Sequence, residues 1–349
     1  MSAPSKNFQQ QAAECLQHGQ SLEARGNFPE ALAAYDQAIE QRRAAPVSDE
    51  GARRQLGLAW MNRGNVLQKL GTPTGVVDAI AGYDEAIAVL QTLPFATNPG
   101  FRHHLGAAWL NRGHALLLAS DASSLASFEQ AISHLEKLPL EADPHYRLNL
   151  AGAWTNLAHA ALTGSPARAQ AAALSALLIL QPVERAHEAF ATMSLRARRA
   201  LIMALGEQLR AIEAAQRATT GLLSEATDAV DDGLALAREF APRATASFHA
   251  LAARLFRLGA QLYGRHQPHF LGEFLLEQLA APAFAADAEF RAVAGDALVR
   301  ALAELQRPQF FVAGTSNAAK VLSLAQTLRA AQQQLAALPP LPPTPLASA

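Results

Sequence analysis

One eight-residue stretch occurs three times in this chain, and each copy begins with one of its three tryptophans. Residues 60–67, 109–116 and 154–161 read WMNRGNVL, WLNRGHAL and WTNLAHAA, so the copies start 49 and 45 residues apart. A unit that recurs at this distance is typical of supersecondary modules stacked side by side. The recurrence therefore predicts a repeat architecture and not one irregular globular fold.

The composition favours helices over sheets. Half of the 349 residues are apolar, which is enough to bury a large core in about two to three domains or in one elongated array. Alanine, leucine, glutamine, glutamate and arginine are abundant, whereas aromatic residues make up only 6% of the chain. These are good helix formers, so the repeated modules are predicted to be helical.

Charge and cysteine content narrow the expected partners and compartment. The net charge is −1, so no basic excess is present to neutralise phosphates, and nucleic acid is not an expected partner. The single cysteine, Cys15, cannot form an internal disulfide, and a chain without disulfides is typical of a reducing cytoplasm. Residues 1–11 lack an apolar signal core, and the longest apolar run, 171–180, is about half of a membrane span. We expect a soluble cytoplasmic protein without a membrane partner.

The first module reads as a helix, a turn and a second helix. Gly19 lies in the first helix, and the turn follows at 26–28. In the second helix, Ala31 and Ala38 are small enough to let the two helices approach, and Tyr35 fills the space between them. The pattern predicts a helical hairpin of about 35 residues.

This pattern resembles the tetratricopeptide repeat, or TPR, in which such slots recur along a chain. The match is clear in three modules, weaker in a fourth, and covers roughly residues 10–183. The residues that define it are Gly19 and Tyr35 in the first module, Trp60, Gly64 and Tyr83 in the second, Trp109, Gly113 and Phe128 in the third, and Trp154 and Ala158 in the fourth.

The modules are longer than the standard repeat of 34 residues. The extra residues precede the tryptophan slot, where Asn98-Pro99 and Asp143-Pro144 read as an N-cap followed by a first-turn proline. The first helix of each hairpin is therefore predicted to be extended. Long repeats with this start resemble those of kinesin light chains. The chain is similar to the bacterial kinesin light chains, and this resemblance implies that it associates with filaments of bacterial tubulin.

The repeat signature fades after residue 183, but its rhythm continues. Gly206, Gly259 and Gly295 each lie in a long apolar-periodic helix, where a glycine costs roughly 1 kcal/mol against alanine, so we expect close helix contacts there. Degenerate hairpins are predicted over about 187–240, 243–281 and 284–337. The alternative is an unrelated C-terminal helical bundle.

The predicted fold is thus an all-α, right-handed α-solenoid of about seven helical hairpins. Its segments are a frayed N-terminus at 1–9, four hairpins at 10–183, degenerate hairpins at 184–338 and a disordered proline-rich tail at 339–349.

No motif for catalysis or cofactor binding stands out. On a helix, the adjacent His103 and His104 would point about 100° apart and chelate poorly, and His266 and His269 straddle a turn. Cys15 has a histidine three residues on, but it fills the tryptophan slot and is predicted to pack inward. We therefore predict no catalytic residue, no metal site, no cofactor and no enzyme activity.

A row of polar residues is the candidate binding site. Each of its residues directly follows the small residue of the repeat, which is Gly19, Gly64, Gly113 or Ala158. The row consists of Gln20, Asn65, His114 and His159, at a position that faces the concave groove in stacked hairpins. Asn65 matches an asparagine that contacts peptide backbone in TPR relatives, and a polar row can bind an extended segment without fixing its sequence. The alternative is that the row is merely solvated. Asn62, Asn111 and Asn156 are expected on the other side of the helices, with a structural role in capping or in bridging neighbouring helices.

These observations predict a non-enzymatic scaffold for protein–protein interaction, monomeric on its own. The resemblance to kinesin light chains favours an accessory protein that binds and stabilises a bacterial tubulin filament. The alternative is a peptide-binding adaptor or chaperone that uses the concave groove. The sequence leaves the partner, the binding face and the stoichiometry open.

Overall fold

The computed structural model describes residues 3–44, 49–215, 220–281, 284, 287–307 and 316–338. Within those residues the chain forms α-helices, one short 3₁₀ helix and no β-strand, which confirms the predicted all-α fold of helical hairpins. The chain divides into two compact units, Met1–Thr163 and Gly164–Ala349, called unit 1 and unit 2 below. The expected proline-rich tail lies outside the described residues.

The described part of unit 1 contains seven helices. They are α1 (Ala3–Ala24), α2 (Phe28–Ala44), α3 (Glu50–Leu70), α4 (Pro73–Leu90), α5 (Pro99–Leu118), α6 (Ser124–Leu135) and α7 (Pro144–Ala161). Each helix contacts the next, and the first helices also contact one another in the order α1, α3, α5 and α7. The structure places residues 3–9 of the expected frayed N-terminus inside α1.

The described part of unit 2 contains seven more α-helices. They are α8 (Pro166–Leu180), α9 (Glu188–Ala214), α10 (Thr220–Phe240), α11 (Ala246–His266), α12 (Leu271–Leu279), α13 (Ala288–Leu305) and α14 (Ser316–Ala337). The pairs α9–α10, α11–α12 and α13–α14 are in contact and correspond to the three degenerate hairpins. The two helices of the fourth expected hairpin, α7 and α8, belong to different units. The division of the repeats at residue 183 stays a prediction.

Proline and a capping side chain fix where the long first helices begin. The side chain of Asn98 accepts a hydrogen bond from the backbone N–H of Gly100 at 2.8 Å, and α5 begins at Pro99. Asp143 caps α7 in the same way at 2.8 Å, and α7 begins at Pro144. Both positions satisfy otherwise unpaired donors of the first turn. The predicted early start of these helices is confirmed.

Glycine and an aromatic ring form the contact inside each hairpin of unit 1. A methyl group at Gly113 would lie 2.6 Å from Cε1 of Phe128, a distance at which carbon atoms overlap. The same relation holds for Gly19 with Tyr35 at 2.6 Å and for Gly64 with Tyr83 at 2.8 Å. All three rings are fully buried. Only a residue without Cβ therefore lets these helices pack around the ring.

A second glycine lies seven residues earlier in two of these helices. A methyl group at Gly57 or Gly106 would come within 2.6 Å of Leu90 or Leu135, respectively. Two turns of helix separate the two glycines of α3, as they do in α5. The first helix therefore receives two large side chains of its partner at two levels.

The glycine prediction holds for only one of the three positions in unit 2. A methyl group at Gly259 would contact Val230 at 2.6 Å and Phe274 at 2.8 Å. The prediction for Gly206 was wrong, because no described residue, apart from the adjacent backbone of α9 itself, lies within 4 Å of a methyl group there. Among the residues that the structure describes, the one nearest to a methyl group at Gly295 is Leu335, at 4.0 Å. In α9 alanines form the close-packed face, among them the fully buried Ala204, and Gly206 points away from it.

Candidate functional site

The first helices of unit 1 carry the four residues of the predicted polar row. Because these helices contact one another in sequence order, Gln20, Asn65, His114 and His159 lie on neighbouring helices. Gln20 and His114 are exposed, and Asn65 is half-buried. His159 turns back on its own helix, where its Nδ1 lies 2.9 Å from the backbone oxygen of Thr155.

Hydrogen bonds between side chains 46 residues apart join each pair of neighbouring first helices. Eight side chains form these bonds, and we call them the polar seam. They pair as Lys69 with Glu23 at 2.7 Å, Asn111 with Asn65 at 3.0 Å, His114 with Gln68 at 3.0 Å and Asn149 with His103 at 2.8 Å. The seam holds polar groups of successive hairpins in a fixed mutual arrangement.

Two buried tyrosines connect the polar seam to the core. The hydroxyl of Tyr83 donates to Oδ1 of Asn65 at 2.8 Å and accepts from Nε2 of Gln68 at 2.7 Å. The hydroxyl of Tyr35 donates to Oε2 of Glu23 at 2.7 Å. Burial raises the pKa of both tyrosines, so each hydroxyl stays protonated and serves as a donor.

The third hairpin replaces this polar pair with an apolar one. Glu23 and Gln68 stand four residues after the slot glycine, and the same position in α5 is Leu117. Its aromatic partner is Phe128, which has no hydroxyl to satisfy. The aromatic residue and the residue four positions after the glycine are thus both polar or both apolar. This is expected, because a buried hydroxyl requires a hydrogen-bond partner.

A surface depression of about 370 Å³ lies at the α3–α5 part of the polar seam. It is lined by Asn65, Gln68, Lys69, Asn111, His114 and Leu118. Leu118 is 57% exposed and supplies an apolar contact beside the amides, the imidazole and the ammonium group. Such a surface can donate and accept hydrogen bonds to the backbone of a bound segment.

Sequence reasoning found part of this site and missed part of it. Asn65 and His114 come together as expected. Asn111 bridges two neighbouring helices as predicted, but the prediction that it lies on the other side of its helix was wrong. Gln68 and Lys69 were missed, although their places four and five residues after Gly64 could have indicated them. The role of the row in binding stays a prediction.

The tryptophan slot has an electrostatic role beside its packing role. Trp60 and Trp109 are half-buried, and the guanidinium carbons of Arg63 and Arg112 lie 5.7 and 5.6 Å from the respective ring centres. Each arginine also donates to an aspartate of the preceding hairpin at 2.6 Å, Asp36 and Asp84 respectively. The same three-residue arrangement therefore joins consecutive hairpins twice.

His103, His104 and Cys15 pack or form hydrogen bonds within the fold. Burial lowers the pKa of His103, whose ring bonds Asn149, and lowers the pKa of His104 to about 4. Cys15 packs against the core of the first hairpins. In the part of the chain that the structure describes, no three His, Cys, Asp or Glu side chains are grouped as metal ligands would be. None of the described helices has the length and apolar character needed to cross a membrane.

No protein-family model matches the chain, and no curated protein matches it. Among solved structures, the chain is similar to the apo form of RapI, with 11% identity, coverage of 93% of this chain and 99% of RapI, and a TM-score of 0.43. The chain is also similar to the S. pombe nuclear import adaptor Nro1, with 13% identity, coverage of 93% of this chain and 99% of Nro1, and a TM-score of 0.37. For the TPR domain of P58(IPK) the identity is 14%, the coverage is 93% of this chain and 98% of that domain, and the TM-score is 0.26.

Proposed function

We propose that this chain is a non-enzymatic scaffold that binds another protein through the first helices of unit 1. The observation that carries the proposal is the polar seam, whose side chains are held by one another before any partner arrives. Groups that are already ordered lose little conformational entropy on binding. A surface of this kind presents the same type of contact from several hairpins at once.

The resemblance to kinesin light chains favours a filament of bacterial tubulin as the partner. A filament repeats its subunits, so an array of hairpins can make several weak contacts along it, and their combined strength exceeds that of any one contact. On this proposal the chain bridges neighbouring subunits and stabilises the lattice.

Co-sedimentation with purified bacterial tubulin tests this partner. The chain should pellet with the polymer in a saturable manner and remain in the supernatant with unpolymerised tubulin. Because the contacts are spread over several hairpins, alanine at Asn65 and His114 should leave most of the binding intact. A chain that remains in the supernatant at polymer concentrations of tens of micromolar would rule out the filament proposal.

The depression at Asn65, Lys69 and His114 favours a second candidate, an adaptor or chaperone that holds an extended peptide. Here binding would be concentrated at one place and lost when Asn65 and His114 become alanine. Because Asn65 also accepts a hydrogen bond from the buried Tyr83, the double variant K69A/H114A is the cleaner probe. Gln130→Ala, an exposed change on α6 away from the seam, is the matched control.

A further inference from the structure

A long groove runs across unit 2 between α8 and α10. Both helices contact α9, which supplies Arg198 and Leu201 to the groove between them. The groove has a volume of about 1240 Å³. It is bridged near one end by Gln170 and Glu225 at 2.8 Å, and near the other by Arg185 and Glu239 at 2.9 Å.

The α8 wall of this groove is apolar and uncovered. Leu178 is 71% exposed and Leu174 is 43% exposed, and the two stand four residues apart on one face of the helix. The half-buried Leu177 lies beside them. Leucines grouped in this way on a surface mark an interaction site more often than isolated ones do.

The α10 wall is acidic. Glu225, Asp228 and Asp232 line the groove at spacings of three and four residues, so their carboxylates lie along one face of α10. None of the three forms an ion pair with another described residue. Glu184, the fourth carboxylate of the groove, is neutralised by Arg198 at 2.9 Å and Arg185 at 3.3 Å. The groove therefore retains uncompensated negative charge.

From this geometry we propose that the groove docks a basic amphipathic helix of a partner protein. The α10 wall extends from residue 221 to 235, about 21 Å at 1.5 Å per residue, which matches a helix of about 14 residues. The apolar stripe of such a helix would cover Leu174 and Leu178. Its lysines or arginines would meet Asp228 and Asp232, and charge complementarity of this kind selects the partner. The groove is a second binding surface, independent of the polar seam.

A pair of synthetic peptides tests the proposal on the full chain. Both are fluorescent, helix-forming 14-residue peptides with leucine at every third or fourth position, and one carries lysines where the other carries glutamates. In fluorescence anisotropy the lysine peptide should bind about tenfold more tightly than the glutamate peptide, and its affinity should fall with added salt.

Two sets of variants locate the binding. D228N/D232N should weaken binding of the lysine peptide about tenfold, as loss of two rim ion pairs implies, and L178S should weaken it by a similar factor. All three positions are exposed, so circular dichroism should report an unchanged fold. The matched controls are D78N/D296N and V77S, which change exposed carboxylates and an exposed apolar residue outside the groove.

Three results of the peptide measurements would overturn the proposal. They are equal binding of the two peptides, no binding of either at about 1 mM, and wild-type affinity of D228N/D232N. Dimerisation of the wild-type chain that L178S abolishes would also overturn it, because a second copy would then occupy the groove. K69A/H114A should bind the lysine peptide normally, so failure of the groove and failure of the polar seam are distinguishable.

Discussion

Replacing Gly113 by alanine tests whether the slot glycines are the points where the helices of a hairpin touch. The new methyl group would lie 2.6 and 2.7 Å from two carbons of the fully buried Phe128 ring, so the ring or the helix must move. Over-packing of this kind costs about 1–3 kcal/mol. Alanine also gains about 1 kcal/mol of helix propensity over glycine, which partly offsets the cost.

Gly82→Ala is the control that isolates the steric cost. Gly82 lies in α4 of the same unit, and a methyl group there would sit 3.5 Å from the nearest atom, the backbone oxygen of Trp60. This variant should gain about 1 kcal/mol, since it has the propensity benefit without the clash. The gap in stability between the two variants should therefore be the packing cost, about 1–3 kcal/mol.

Urea unfolding followed by tryptophan fluorescence measures this gap in unit 1. All three tryptophans lie in Met1–Thr163, so the signal reports that unit and not unit 2. Phe128→Leu removes the ring carbon that the methyl group would meet, so G113A should cost less in that background, as a double-mutant cycle would record. A G113A variant as stable as G82A, or a cost of G113A that is the same with leucine at position 128, would show that the methyl group does not meet the ring.

Three further changes test other parts of the account. Tyr83→Phe should cost unit 1 about 1 kcal/mol in urea unfolding, because it removes the acceptor of the half-buried Gln68 amide and one of the two donors to Oδ1 of Asn65, and adding Gln68→Leu should recover part of the loss. Gly206→Ala should stabilise unit 2 by about 1 kcal/mol in calorimetry, since the position has open space, and a destabilised variant would contradict this. Burial raises the pKa of Glu184, but hydrogen bonds from Arg198 and Ser194 outweigh burial and hold that pKa below the ordinary value of 4.5. The stabilisation that results from this lowered pKa is present above pH 4.5 and is lost as the pH falls through the lowered pKa. Over that pH range, the free energy of unfolding should therefore fall more steeply for the wild-type chain than for Glu184→Gln.

The hairpins of unit 1 could be predicted because their packing depends on small and large residues that recur at a fixed spacing in the sequence. A glycine and an aromatic residue such as Gly113 and Phe128 are complementary in shape, and each sits in a helix whose phase the apolar pattern sets. The helix starts at Pro99 and Pro144 were predictable for a similar local reason, since a cap and its proline act within one turn.

Part of the polar seam was within reach of the sequence and was still missed. Asn111 and His114 are three residues apart, so they neighbour one another on α5, and placing them on opposite sides ignored that geometry. The pairing of Asn111 with Asn65 depends in addition on how closely two first helices approach. That distance is set by the whole interface and not by any one residue.

The groove of unit 2 could not be predicted because no motif marks it. It exists because α8 and α10 lie apart on α9, and this separation follows from packing along three helices. In the sequence, Leu178 reads as one more apolar residue of a helix, and Asp232 reads as a solvated charge. The mistaken contact at Gly206 has a related cause, since the alanines of α9 form its packed face without a glycine.

Site-specific photo-crosslinking tests the central claim, that the first helices of unit 1 face the partner. A crosslinking residue at position 114, in the polar seam, is compared with one at position 130, exposed on α6. With polymerised bacterial tubulin, position 114 should give crosslinked product and position 130 should give none. Product from position 130 alone, or from neither position while the chain pellets with the polymer, would contradict the claim.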